Sequence, residues 1–442
     1  MCLSTYIAYS RLLLREKKLK RKPIRHLKPH VQFSTFNYQL MSTVQQPLLS
    51  DRILALEESS TLAMAQKSRE LAAKGHKVIN LSIGEPDFKT PKHICEAAKD
   101  AIDAGFHHYT PVPGIPELRK AIADKFKRDN NIDWKPENIV VSTGAKHSLA
   151  NVLQVLVNPG DEVIVLAPYW VSYSEMVKLA EGTPVIVEGS FENNFKVTPE
   201  QLEAAITDKT KLIMYSSPNN PTGTVYTEAE LRAIANVVEQ NEHVFVMADE
   251  IYEYINFLEE GHFSMGSIPA IKDRVITVNG MAKGFAMTGW RIGYIGAAKW
   301  IAGGVTKLQG QVTSGTNHIA QRASVVAWDN MTAAEGMRRA YLVRRELMVN
   351  GLKEIPGFKV NVPDGAFYAF PEISYYFGKS DGETTIDNSD DFSLWLLEKT
   401  FVATVAGSGF GAPNCIRIST AAADEALTEA IQRISEAVKT LK

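Results

Sequence analysis

Lys283 and Arg291 lie in one stretch, NGMAKGFAMTGWRIGY (279–294), that is broken by Gly280, Gly284, Gly289 and Gly293. Glycines at this density interrupt a regular element and let another molecule approach the backbone. An amine held among apolar neighbours favours its neutral form, which can attack a carbonyl to give a Schiff base. A guanidinium nearby offers a planar fork of donors suited to a phosphate. Capture of an aldehyde beside capture of a phosphate is the chemistry of a pyridoxal phosphate site. A lysine in a Gly-rich loop is also commonly just solvated, so the loop alone leaves both readings open.

The elements that must position this loop read as alternating strands and helices. Apolar, β-branched segments at 138–142, 162–167, 184–188, 211–216, 243–249, 274–279 and 292–296 predict buried strands. Helical stretches such as 145–157 and 227–240 separate several of them. That alternation implies a largely parallel sheet covered on both faces, with ligands gathering beyond the carboxyl ends of the strands.

Chemistry-bearing residues do follow those ends. TGAKHSL places a glycine turn before a helix, whose free N–H groups can hold an anion; PYW places Trp170 where a flat ring can stack; SPNNPTG carries Asn219 and Asn220; DEIY begins with Asp249. Each has a plainer explanation: helix capping, core packing, a common turn composition, an N-cap aspartate. Their recurrence at successive strand ends favours one shared cofactor site.

Before the sheet, residues 51–74 read as a helix, 78–88 as a short strand running into a Gly84 turn, and Pro91 and Pro116 as helix starts flanking a loop with Tyr109. Beyond residue 320, helices are expected over 319–329, 333–354 and 392–399, with an acidic insert near 378–391 and a C-terminal helix. Arg417 stands in the apolar strand CIRIS, where a charge needs a partner: a structural salt bridge or a carboxylate ligand. The expected organisation is a basic leader and arm over 1–50, a segment 51–85 packing with a small domain, a large domain over 86–318, and the small domain over 319–442.

Composition narrows the classes. The chain has 442 residues, 45% hydrophobic and 22% charged, with a formal net charge of −2. That balance argues against nucleic-acid binding by bulk electrostatics. Cys2, Cys95 and Cys415 have the spacing of neither a disulfide framework nor a metal site, and fit a reducing compartment. No apolar run is long enough for a membrane span. Between Arg11 and Lys28 there are nine Lys/Arg and one acidic residue, Glu16. Such a leader suits a disordered extension of a cytoplasmic protein, with an organelle transit peptide as the alternative.

The motifs GEPDF, YTPVPGIPELR, TGAKHSL, PYWVSY, SPNNPTG, DEIYE, NGMAKGFAMTGWRIGY, DGAFY and CIRIS stand in this order. With them, the chain from about residue 50 onward resembles the fold-type-I pyridoxal phosphate aminotransferases. It is most similar to the class I, subgroup Ib aspartate aminotransferases, which include plant-type prephenate aminotransferases. The resemblance implies an α/β fold with a mainly parallel seven-stranded sheet covered by helices, plus a smaller α/β domain. It implies that Lys283 forms the Schiff base and then shuttles the proton, while Asp249 pairs with the pyridine nitrogen. Tyr252 and Asn220 would hydrogen-bond the ring oxygen, and Trp170 would stack on the ring. Gly144, Ala145 and Arg291 would hold the phosphate, with Tyr109 reaching across from a second subunit of a homodimer.

For the amino acid and 2-oxo acid substrates, the resemblance implies Arg417 on the α-carboxylate and Gly84 contacting it through backbone. Lys146 and Thr90 would lie at the distal carboxylate. Lys146 also counts among the cofactor contacts, and Trp170 and Asn220 among the substrate contacts. No metal is implied. The expected activity is aspartate:2-oxoglutarate transamination, with prephenate transamination as the alternative and a non-catalytic regulator of the same fold as a remote one. Two departures from the family pattern are Gly280, where other subgroups carry a phosphate-binding serine, and Ala282, directly before the lysine.

Overall fold

Valine- and isoleucine-rich runs form the strands, because branched Cβ atoms pack well on a pleated surface covered from both sides. β1 is Ile79–Asn80, and β2 to β8 are Ile139–Ser142, Glu162–Ala167, Thr183–Glu188, Thr210–Ser216, Phe245–Asp249, Val275–Gly280 and Gly293–Gly296. The computed structural model describes residues 49–442, so the leader expected over residues 1–50 lies outside the described residues apart from its last two. Asp51–Lys442 form one compact unit.

β2 to β8 build one seven-stranded sheet in the order β2-β8-β7-β6-β5-β3-β4. β3 to β7 are parallel wherever they pair, whereas β8 runs antiparallel to both β7 and β2. The sheet is therefore mixed and mostly parallel, and the seven predicted segments fall on its strands to within a residue or two. Side chains alternate between two cores, as the period of a strand requires. Val163, Val165, Leu212 and Met214 join the core under helices Ala145–Leu156, Ser172–Leu179 and Lys299–Val312. Ile164, Leu166, Ile213 and Tyr215 join the core under helix Glu228–Gln240.

The later strands are short: β9 (Tyr368–Ala369), β10 (Lys379–Ser380), β11 (Thr385–Ile386), β12 (Val402–Ala403), β13 (Val405–Ala406) and β14 (Ile416–Ser419). β13-β14-β9 form an antiparallel sheet, and β10 pairs with β11 inside the acidic insert. Helices Thr332–Lys353, Ser389–Thr400 and Asp424–Val438 contribute to a separate apolar core with them. β1 pairs in parallel with β12, which ties the segment before the large sheet to the C-terminal part.

Two expected helices are broken. Residues 51–74 form Asp51–Leu54 and Ser60–Ala73, with Ser59 in an extended backbone at the second helix's N-cap but making no side-chain capping bond. The helix predicted over 319–329 is His318–Val325 followed by a tighter turn at Ala327–Asp329.

Candidate active site

Because the parallel strands share a direction, the loops leaving β2, β3, β5, β6 and β7 emerge at one edge of the sheet. Those loops carry Gly144, Trp170, Asn220, Tyr252 and Lys283, with Asp249 closing β6. β8 runs the other way, so its amino end arrives at the same edge. Gly293 pairs with both Gly280 and Ser142. Arg291, just before β8, is delivered there by strand direction.

Glycine is required where these strands meet. A Cβ on Gly293 would fall 2.1 Å from the Ala145 nitrogen, and a Cβ on Gly144 would fall 2.4 Å from Arg291 Nη2. With both absent, the guanidinium lies against the start of helix Ala145–Leu156, which has no side-chain cap. Uncapped N–H groups, the positive end of a helix dipole and a guanidinium together make an anion cradle. Gly280 is packed just as closely, since a Cβ there would lie 2.7 Å from the Ile292 carbonyl oxygen. The glycine that departs from the family pattern is thus a condition of the β7–β8 pairing.

A cavity of about 520 Å³ opens over this edge. Lys283, Asp249, Tyr252, Asn220, Arg291 and Arg417 line it, together with Gly84, Ala145, Lys146 and Trp170. Lys283 Nζ donates to the Gly84 carbonyl oxygen, and burial holds its amine down to about 8. Asp249 Oδ2 accepts from the Tyr173 hydroxyl at 2.7 Å and Oδ1 from the Ile251 N–H at 3.2 Å. Burial nevertheless pushes the Asp249 carboxyl up to about 6, against those bonds. Lys146 Nζ lies 4.5 Å from the Trp170 ring centre, and burial, with the Arg291 charge beside it, lowers its pKa.

Arg417 is 1% exposed. Its Nη1 donates to Asn220 Oδ1 at 2.9 Å and its Nη2 to the Ser82 carbonyl oxygen at 2.6 Å. Nε has no partner among the described residues. Tyr368 and Phe410 flank the guanidinium, their ring centres 4.7 and 4.9 Å away. The structural salt bridge weighed from the sequence is not what Arg417 makes: its partners are an amide and a carbonyl. A buried cation without a counter-charge is costly, so the arrangement suits an anionic ligand.

Two expected residues stand apart from the cavity. Thr90 Oγ1 donates to the Ala286 carbonyl oxygen at 2.7 Å and accepts from Trp290 Nε1 at 3.0 Å, which fastens the Lys283 loop from behind. Tyr109 is 96% exposed and is not in the lining. Gly144 touches the site through Arg291 rather than lining it. The sequence reading did not single out Tyr173, Tyr368, Ser82 or the pair formed by Thr288 and Glu85. Tyr173 and Tyr368 were visible within PYWVSY and DGAFY. Nothing in the sequence pointed to the Ser82 carbonyl, nor to Thr61 and Leu62, which helix Ser60–Ala73 brings to the cavity.

These residues fit pyridoxal phosphate. The uncapped helix start beside Arg291, a depressed amine, a buried acid and an orphan Arg417 Nε match its phosphate, aldehyde, ring nitrogen and an acidic substrate. A helix-covered, mostly parallel seven-stranded sheet with this site at its carboxyl edge is the fold-type-I pyridoxal phosphate transferase architecture. The profile of the family "Aminotransferase class I and II" matches residues 76–434, and the chain belongs to that pyridoxal-phosphate-dependent family. It is similar to an aspartate aminotransferase of Bacillus sp. (strain YM-2), with 45% identity over 89% of this chain and 99% of that one. An aspartate/prephenate aminotransferase of Cereibacter sphaeroides is 46% identical over 87% of this chain and 97% of its own length. A solved aspartate aminotransferase from Thermus thermophilus with maleate superposes with a TM-score of 0.82 at 40% identity, covering 88% of this chain and 99% of that chain.

Proposed function

We propose that this protein transfers the amino group of L-aspartate to 2-oxoglutarate in two ping-pong half-reactions, in the cavity around Lys283. The observation that carries this reading is Arg417, a buried cation without a carboxylate partner among the described residues, in one cavity with Lys283 and Asp249. Bound pyridoxal phosphate would act as an electron sink for the electrons left when the amino acid loses its Cα proton. Lys283 is the proton carrier: with its amine held near 8, a useful fraction is neutral at physiological pH and can take a proton. Asp249 as an anion would keep the ring nitrogen protonated, and Tyr173 steadies that anion. Gly144, Ala145 and Arg291 are the phosphate cradle, Trp170 the stacking ring, and Tyr252 and Asn220 the partners of the ring oxygen.

Arg417 would hold the α-carboxylate beside the Gly84 backbone, and Lys146 the distal carboxylate. Similarity to an enzyme solved with maleate, a dicarboxylate, supports that assignment. Thr90, tied to Ala286 and Trp290, acts on substrate choice only through the Lys283 loop. Prephenate transamination is the second reading, supported by similarity to the Cereibacter sphaeroides protein. A panel of amino donors and 2-oxo acids on the purified holoenzyme tests both. Exchange with aspartate is expected, and its absence overturns the main reading. The ratio of kcat/KM for prephenate and oxaloacetate decides between the two.

Tyr109 supports a homodimer: its ring is almost wholly exposed, as expected of a residue that would reach a neighbouring copy's phosphate. Light scattering on active enzyme is expected to give a dimer, and an active monomer would remove this role. We read 51–85 as a segment packing with a small domain over 319–442, 86–318 as the large domain, and the working location as cytoplasmic.

A further inference from the structure

Tyr368 belongs to DGAFY and has no task in the site described so far beyond forming a wall. It is 1% exposed, on β9, where it pairs with Ser419 of the strand that carries Arg417. Its hydroxyl lies 2.7 Å from the Tyr252 hydroxyl. Its ring lies 4.7 Å from the Arg417 guanidinium carbon, and a Cβ on Gly84 would fall 2.4 Å from its oxygen. One phenol therefore touches the residue assigned to the ring oxygen, the residue assigned to the substrate carboxylate, and the backbone that Lys283 donates to.

Proton counting gives the pair a direction. A phenol has one proton to donate and two lone pairs to accept with. Among the described residues, neither hydroxyl has another hydrogen-bond partner. If Tyr252 donated to Tyr368, it would meet the cavity with lone pairs alone and repel a ligand oxygen. If Tyr368 donates, Tyr252 keeps its own proton for the cavity. The neighbouring charge favours the second arrangement. Burial raises both phenols, and the Arg417 guanidinium carbon lies 4.7 Å from the Tyr368 ring centre, where its charge favours loss of the Tyr368 proton and makes Tyr368 the readier donor.

We infer that Tyr368 is a positioning residue for transamination: its hydroxyl donates to Tyr252 and so directs the Tyr252 proton at an oxygen of the bound cofactor. The inference rests on the pyridoxal phosphate reading of the cavity. Donation into Tyr252 also polarises that hydroxyl and strengthens its outgoing bond, by about 10–30% per bond in such chains.

The test is a pH titration of the visible absorbance of substrate-free holoenzyme, wild type against Tyr368→Phe. A weaker bond to the ring oxygen lets the chromophore hold its proton more tightly. The midpoint is therefore expected to rise, by about 0.1 to 0.7 pH unit when that fraction is taken of a hydrogen bond to a charged oxygen. A shift below about 0.1 unit, or a downward one, overturns the inference. Because phenylalanine keeps a ring over Arg417, KM for aspartate is expected to change less than about twofold. A raised KM with an unmoved midpoint means that Tyr368 only packs Arg417, which also overturns it. The same substitution in a Tyr252→Phe background is expected to add no further shift, and an equal shift there shows that Tyr368 does not act through Tyr252. A wild-type protein that takes up no pyridoxal phosphate defeats the underlying reading, and is recognised before any variant is compared.

Discussion

Asp249→Asn should make the cofactor-free protein more stable while disabling the loaded enzyme, and the pH dependence of that gain can be worked from the structure. Asp249 is 5% exposed, and burial raises its carboxyl from 3.8 to about 6. At about 1.36 kcal/mol per decade, that rise corresponds to about 3 kcal/mol spent in holding the anion inside the fold. The sign follows from proton linkage: between the unfolded and folded values the native state binds the extra proton, so stability falls as pH rises through this window. Asparagine does not titrate. The difference in unfolding free energy, variant minus wild type, should therefore grow by about 3 kcal/mol from about pH 3.5 to about pH 7.5 and stay level above that. Urea unfolding of both apoproteins at matched concentration, followed by tryptophan fluorescence, measures it. A difference that does not change with pH, or that shrinks as pH rises, refutes the reasoning. In the loaded enzyme the same substitution would remove the charge proposed to face the ring nitrogen, and kcat should drop by about 100-fold or more. Loss of function with gain of stability marks a site that carries strain for its chemistry.

Other substitutions probe other parts of the site. Lys283→Met should abolish turnover; its amine is lowered to about 8, so the apoprotein should be stabilised below that pH, with the gain fading as pH rises toward 10.5. Loss of turnover without that pH-dependent gain would show that the lysine is not desolvated as described. Arg417→Lys keeps the charge but loses the fork, and should cost about 2 kcal/mol in kcat/KM for aspartate, roughly 30-fold, mostly in KM. An effect under twofold in steady-state kinetics would remove Arg417 from the substrate. Gly293→Ala puts a Cβ 2.1 Å from the Ala145 nitrogen, so backbone must move at a cost of about 1–3 kcal/mol or more. A drop of several degrees in Tm with weaker pyridoxal phosphate uptake is expected, and a thermally unchanged variant would contradict the close approach.

Strand by strand, the large sheet was legible because fully buried strands write themselves as continuous branched apolar runs. Glu162–Ala167 and Thr210–Ser216 needed little beyond that signal. Helix ends were less legible: Asn388 caps Ser389–Thr400 by accepting from the Asp390 and Asp391 N–H groups, so the helix starts before the predicted 392. The break at Ser59 was hidden for a related reason, since serine suits both a helix end and a loop.

By itself the sequence determined which side chains could do the chemistry, because reactivity resides in residue type and in motifs a few residues long. Lys283, Asp249, Asn220, Tyr252 and Arg417 were all readable in this way. It could not determine which groups meet across the chain, because a strand's direction and a carbonyl's neighbours depend on pairing over long separations. Only the tertiary structure turned β8 against its neighbours and brought Arg291 to Gly144. It also gave Thr90 to the back of the lysine loop, and joined Tyr173 to Asp249 and Tyr368 to Tyr252. The depressed amine of Lys283 belongs to that second group, since burial is a property of the packed cavity and not of the residue.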